Sequence, residues 1–224
     1  MQPELMDTAA VDAADHAACL RDLAAVNTVT LARLPTLAFI RRAVRRAGRP
    51  LRVLDVACGE GDMLRRLRRW SRHTGHALSL TGIDLNPLGI DAARAAAPAD
   101  SAIEFRVGDA LRSSLDGFDV VISSLFTHHL EDDDVVRFVR RMEQAAAVGW
   151  FINDLHRDRL AFHGFRALSG FAGWHRFVRH DGPVSVARSF RRADWRKLLA
   201  RADVGTAASI RWHLPYRYCI SRLR

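Results

Sequence analysis

Two hydrophobic rhythms alternate between Leu51 and Ile152. Short, almost wholly apolar runs predict strands at Leu51–Val56, Ala77–Ile83, Ile103–Val107, Phe118–Ser123 and Val148–Ile152. Between them, apolar residues recur every three or four positions and predict helices at Asp62–Arg72, Pro87–Ala97 and Asp132–Ala146. In Met63–Trp70, Leu64 and Leu67 mark the buried stripe and Arg65, Arg66, Arg68 and Arg69 the wet face. Strand and helix in alternation, save for a short connection between Ile103–Val107 and Phe118–Ser123, predict an α/β protein with a doubly wound, mostly parallel sheet. Ligands in such sheets sit beyond the carboxyl ends of the strands, where the strand order reverses.

The flanks follow other patterns. Residues 1–47 carry Ala, Leu and Arg at helical spacing and predict a cap of two or three helices, interrupted at Pro35 and closed by Gly48 and Pro50. Residues 48–224 form the main domain. Within it, residues 155–190 are rich in Phe, Trp, His, Arg and Gly without a clean period, and His180-Asp181-Gly182-Pro183 reads as a turn. Arg191–Ala202 is helical, with Trp195, Leu198 and Leu199 inward. Ala208–Leu214 and Tyr216–Leu223 read as a closing hairpin split at Pro215.

Composition narrows the class. With 224 residues, the chain is long enough for one sizeable core. No apolar run approaches the roughly 18 residues that span a bilayer. The acidic start Met1-Gln2-Pro3-Glu4 does not read as a secretory signal, so a soluble, cytoplasmic protein is expected. Cys19, Cys58 and Cys219 are scattered and predict neither a disulfide framework nor a cysteine zinc site. His73 and His76 are two ligands without a third, and no metal is expected. The net charge of +9 raises nucleic-acid binding. The arginines, however, fall on helix polar faces, as Arg41, Arg42, Arg45 and Arg46 do, which favours solvated surfaces over a nucleic-acid partner.

The chemistry concentrates at the predicted strand ends. Val53-Leu54-Asp55-Val56-Ala57-Cys58-Gly59-Glu60-Gly61-Asp62-Met63 is a strand, a glycine turn and a helix start. A dinucleotide turn would want a third glycine where Leu64 stands, and Asp55 would repel a pyrophosphate. Asp84 and Asp109 end the next two strands. A carboxylate such as Asp84 suits a ribose diol, because it accepts two hydrogen bonds at once. Asp109 suits an adenine amine, and Asp55 an ammonium group. The glycine turn lets main-chain N–H groups approach a carboxylate. Together these describe an adenosyl amino acid.

On these motifs the sequence resembles the class I S-adenosylmethionine-dependent methyltransferases. Val53–Gly61 is similar to their glycine motif, Gly82-Ile83-Asp84-Leu85 to their ribose motif and Val107-Gly108-Asp109-Ala110 to their adenine motif. Phe118–Leu130 is similar to the fourth-strand segment of the small-molecule branch, which includes quinone-biosynthesis and natural-product enzymes. Ala57 departs from the pattern, standing where the family has its first glycine. The resemblance implies a seven-stranded Rossmann-like methyltransferase fold with S-adenosylmethionine as cofactor. It implies a cofactor site of Asp55, Ala57, Gly59, Gly61, Asp84, Leu85, Asp109, Ala110 and Ser124.

The acceptor is less legible. Methyltransferases of nucleobase amines carry an acidic residue or Asn, then Pro-Pro and an aromatic residue, where this chain has Ser123-Ser124-Leu125-Phe126. His128 and His129 follow the fourth strand, and Asp154 and His156 the fifth; His128 and His156 are the expected general bases. A phenol near pKa 10 and a histidine near 6.5 leave a gap of about 5 kcal/mol, which the sulfonium and Arg157, Arg166 or Arg188 would partly offset. Phe162, Phe165, Leu168, Phe171, Trp174, Phe177 and Phe190 suit a lid or acceptor pocket for a small hydrophobic or aromatic molecule. The expectation is O-methylation of a phenol or enol in secondary metabolism. C-methylation of a quinol-like ring, an RNA or protein methyltransferase and a non-catalytic cofactor-binding protein remain alternatives. A homodimer is admitted, and a nicotinamide dehydrogenase is disfavoured.

Overall fold

The structure is a computed structural model and describes residues 32–172 and 174–224. The helices expected over residues 1–31 lie outside the described residues, as does Cys19. Among the described residues, seven strands form one sheet in the order β3-β2-β1-β4-β5-β7-β6. They are β1 (Leu51–Val56), β2 (Leu78–Asp84), β3 (Ile103–Val107), β4 (Val120–Ser124), β5 (Gly149–Leu155), β6 (Ser209–His213) and β7 (Arg217–Leu223). β1 to β5 run parallel. β7 is antiparallel to both its neighbours, β5 and β6. The expected strands and closing hairpin are all present, with ends shifted by at most three residues.

Helices cover both faces. α1 (Leu34–Ala47), α2 (Asp62–Thr74) and α3 (Pro87–Ala96) bury Phe39, Ile40, Leu64, Leu67 and Ile90 against one face. Phe39 stacks on Phe151 of β5 at 4.9 Å between ring centroids. α4 (Asp132–Ala145) and α7 (Arg192–Arg201) bury Phe138, Met142, Trp195 and Leu198 against the other. Asp132, Asp133 and Asp134 fill the first turn of α4, where the helix dipole favours negative charge. Pro35 sits in the first turn of α1, where no N–H is needed. Gly48, at φ 62°, closes α1 by donating to the Val44 carbonyl.

The aromatic segment after β5 is more regular than its sequence suggests. It forms two helices, α5 (Arg159–Phe171) and α6 (Arg176–Arg188). Asp158 caps α5 by accepting from the Leu160 and Ala161 N–H groups at 2.8 and 3.2 Å. His180-Asp181-Gly182-Pro183 is not the expected turn; it lies inside α6. Packing outweighs local turn chemistry here. A Cβ at Gly182 would stand 1.9 Å from the Phe165 ring, so glycine lets α6 close on α5. Pro183 removes a helical donor and is buried.

Candidate active site

β1 pairs with β2 on one side and β4 on the other, so the strand order reverses at its carboxyl end. The glycine turn leaves the sheet there. Ala57, Gly59 and Gly61 all take left-handed φ, at 56°, 52° and 69°. Gly59 and Gly61 do so freely. Ala57 carries a Cβ into a region that costs an L-residue about 1–2 kcal/mol. Beyond the turn opens a cavity of about 810 Å³.

Of the residues nominated for the cofactor, Ala57, Gly59, Asp84, Leu85, Asp109, Ala110 and Ser124 line this cavity. Asp84 ends β2 and ties two segments together. It accepts from the Gly59 N–H at 2.8 Å and from the Asn86 N–H at 2.9 Å, one on each oxygen. Each oxygen keeps a lone pair for a further donor. Asp109 accepts from the Leu111 N–H at 2.7 Å, and Arg112 lies 3.5 Å from its other oxygen.

Two nominated residues stand behind the wall rather than in it. Gly61 precedes the first turn of α2 and packs on Phe105, where a Cβ would come within 2.4 Å of the ring. Asp55 is 3% exposed within β1. Burial, then the charges of Asp62 and Asp84, push its carboxyl well above the usual carboxylate range. Burial, aided by Asp55 and Asp84, likewise pushes the Cys58 thiol up, in keeping with a small turn residue rather than a nucleophile.

The two nominated histidines are not brought together. His128 lies in the turn Thr127–His129 and is 4% exposed. Its Nδ1 lies 2.7 Å from Asp154 Oδ1, and its N–H donates to Oδ2 at 3.1 Å. The Thr127 hydroxyl also donates to Oδ2, and the Leu155 N–H to Oδ1 at 2.8 Å. Burial alone would raise the Asp154 carboxyl. The interaction with His128 and these donors outweigh it and hold the pKa at about 2. Asp154 is therefore a fixed anion clamping His128. The neighbouring ring of His129, 4.3 Å from that of His128 between centroids, lines the large cavity with Leu125, Phe126 and Leu130. His156 sits at a separate cavity of about 460 Å³ beside Arg157 and Tyr218. Burial, followed by the opposed influences of Asp158 and Arg191, leaves its pKa below the ordinary value.

Cavity-lining residues that sequence reasoning did not nominate for the cofactor include Arg65 of α2, Asn86 and Phe126. Asn86 had a signal. It stands two residues after Asp84 and before Pro87, the pattern of a helix cap, and its side chain accepts from the Leu88 N–H at 3.0 Å.

Residues 53–149, which hold the turn, Asp84, Asp109 and the histidine pair, match a family described as a methyltransferase domain. Over this stretch the chain carries a methyltransferase domain. Its fold is that of solved methyltransferases. Magnesium protoporphyrin IX methyltransferase from Synechocystis PCC 6803, with SAH bound, is 16% identical, with 87% of this chain and 84% of that one covered and a TM-score of 0.58. The plantazolicin methyltransferase BpumL, in complex with SAH and a desmethyl analogue, is 18% identical over 86% of this chain and 72% of that one, at a TM-score of 0.64. The methyltransferase domain of bacterial CtHen1 is 14% identical over 84% and 97%, at 0.58. No curated protein matches the chain.

The methyltransferase cavity fits S-adenosylmethionine, its cofactor, on chemistry as well as family. Asp84 and Asp109 provide carboxylate oxygens for hydroxyl and amine donors. A Cβ built on Gly59 meets nothing within 4 Å, so main chain can approach a ligand there. The volume falls within the roughly 300–1,000 Å³ of small-molecule pockets. Among the described residues, no helix is long and apolar enough to cross a membrane, and no group of three His, Cys, Asp or Glu is placed to hold a metal ion.

Proposed function

We propose that the methyltransferase methylates the oxygen of a phenol or enol on a small hydrophobic or aromatic acceptor. The observation that carries this reading is the make-up of the cavity. Asp84 and Asp109 supply polar anchors, while Leu125, Phe126 and Leu130 supply an apolar wall broken by one histidine, His129. S-adenosylmethionine supplies an electrophilic methyl group on a sulfonium.

The chain's own residues have three tasks. Asp84, Asp109 and the Gly59 main chain hold and orient the donor. Phe126, Leu130 and the α5–α6 pair, acting as a lid, exclude water around a flat acceptor. Such positioning can be worth about 7–11 kcal/mol of barrier. His129 accepts the acceptor's proton on a ring nitrogen, and His128, clamped by anionic Asp154, holds the His129 turn in place. On this reading His156, at its own cavity, takes no part in proton removal.

The test is incubation of labelled S-adenosylmethionine with phenols, enols and quinols, for wild type, Asp84→Ala and His129→Ala. The reading expects label in an ether or enol-ether product and a fall of about 100-fold in kcat for His129→Ala, the usual worth of a general base. Label on ring carbon would favour C-methylation. Label only in RNA or protein would overturn the small-molecule reading.

A further inference from the structure

A further cavity, of about 310 Å³, lies in the angle between α1 and the β7–β6 end of the sheet. Its two walls follow from the two backbone periods. On α1, Pro35, Ala38, Arg42 and Arg45 recur every three or four residues with Arg41 beside them, so one stripe of the helix faces the cavity. On the sheet, Arg211 and His213 alternate on β6, and Cys219 and Ser221 on β7, with Arg211 opposite Cys219 in the ladder. No residue lines both this cavity and the donor cavity.

Four guanidinium groups therefore meet here, and no acid lines the cavity. Among the described residues, no acid pairs with Arg41, Arg42, Arg45 or Arg211. Their neighbours do find partners: Arg46 donates to the Arg224 carbonyl at 3.0 Å, and Arg49 reaches Asp119 at 2.6 Å. Arg41 and Arg42 lie over the rings of Trp70 and Phe39, each 5.9 Å from the ring centroid, but a ring face is no counter-ion. Arg42 Nε is buried with no hydrogen-bond partner among the described residues. The positive charge is felt across the cavity. After burial, Arg211 from one wall and Arg42 from the other hold the His213 pKa below its ordinary value.

Solvation of a helix face accounts for Arg41, Arg42 and Arg45 alone. It does not account for Arg211, which the fold brings to the same cavity from the far end of the chain. Like charges gathered in one place repel, and an anion set among them relieves the repulsion. A guanidinium fork matches phosphate oxygens with paired N–H donors, and a doubly charged phosphate answers four cations better than a carboxylate does.

We infer that this cavity is a second ligand site, separate from the donor cavity, for the terminal phosphate of a small phosphorylated molecule. Its volume stands at the lower end of the roughly 300–1,000 Å³ of small-molecule pockets. Pro35, Ala38 and Phe151 give the rest of such a molecule an apolar surface to lie on. A nucleic-acid strand shares the phosphate, and the experiment separates the two.

The full-length chain is titrated by calorimetry at fixed ionic strength with inorganic pyrophosphate, acetate and a single-stranded RNA decanucleotide without terminal phosphates. Wild type is compared with Arg45→Gln/Arg211→Gln, which removes one cation from each wall, and with Arg106→Gln/Arg201→Gln, which removes the same charge elsewhere. Arg45 and Arg211 are exposed, so the first variant keeps the fold, which its unfolding temperature checks. The expected result is that wild type binds pyrophosphate at least tenfold more tightly than acetate, and that Arg45→Gln/Arg211→Gln loses at least tenfold in pyrophosphate affinity, the worth of a charge-assisted hydrogen bond. Arg106→Gln/Arg201→Gln binds pyrophosphate like wild type, and SAH affinity is the same in all three proteins. Absence of pyrophosphate binding by wild type, an equal loss in both variants, or acetate bound as tightly as pyrophosphate overturns the inference. RNA that binds more tightly than pyrophosphate and is lost in Arg45→Gln/Arg211→Gln overturns the small-ligand assignment. A fall in SAH affinity in that variant overturns the separation of the two sites.

Discussion

Gly59 and Gly61 stand two residues apart on the same turn, and the structure assigns them different jobs that one substitution each can separate. Gly61→Ala places a Cβ 2.4 and 2.6 Å from the Phe105 ring at a φ of 69°. The left-handed backbone costs about 1–2 kcal/mol for alanine. Overpacking of a filled core adds about 1–3 kcal/mol, and Phe105, 6% exposed, has little room to yield. A loss of about 2–5 kcal/mol follows, or roughly 4–20 °C in Tm for a chain of this size. Gly59→Ala pays the backbone strain alone, because its Cβ meets nothing within 4 Å. That methyl stands where a ligand's main-chain contact would form, so SAH affinity is expected to fall at least tenfold at a small cost in Tm. Thermal unfolding by circular dichroism and SAH calorimetry on both variants give the full comparison. If Gly59→Ala binds SAH like wild type, or Gly61→Ala melts within about 2 °C of wild type, the division of labour is wrong.

Four further outcomes are expected. Asp84→Ala strips the Gly59 and Asn86 N–H groups of their acceptor and should weaken SAH by at least tenfold, readable in the same calorimetry. Ala57→Gly relieves the left-handed alanine, less the extra freedom of an unfolded glycine, and should raise the urea midpoint by up to about 1 kcal/mol of stability. Asp154 has a folded pKa of about 2, below its ordinary value, so its contribution is present above the ordinary value and lost as pH falls towards 2. Asp154→Asn should therefore cost about 2–3 kcal/mol at neutral pH and flatten acid unfolding, measured as urea midpoints against pH. Asp55 is raised, so its contribution has the opposite sign: present at low pH and lost as pH rises through the folded value. Asp55→Asn should be more stable than wild type on the alkaline side alone.

The strands were legible because a parallel strand buried on both faces has to be apolar throughout, as Val120–Ile122 and Trp150–Ile152 are. The carboxylates at their ends were legible because polar groups there mark the mouth of such a sheet. Which of them face the cavity was not. Asp55 and Asp84 end neighbouring strands, yet one is buried behind the turn and the other lines the cavity. The same holds for His128 and His129, adjacent in a tight turn, where a rotation of one residue decides which ring meets Asp154 and which the cavity. Helices α5 and α6 escaped notice for another reason. Their buried faces pack on each other and on the turn Thr127–His129 rather than on the sheet, and Gly164, Gly170, Gly182 and Pro183 interrupt the apolar period that would have disclosed them.

The strand order also sets a timetable for synthesis. β6 leaves the ribosome before β7, but its ladder partner is β7, and the open edge of β5 waits for the same strand. Until Arg217–Leu223 emerges, β5 presents a long unpaired edge to every other nascent chain, and β6 has nothing to join. A premature stop just ahead of Arg217 therefore deletes one strand from the message and two from the sheet.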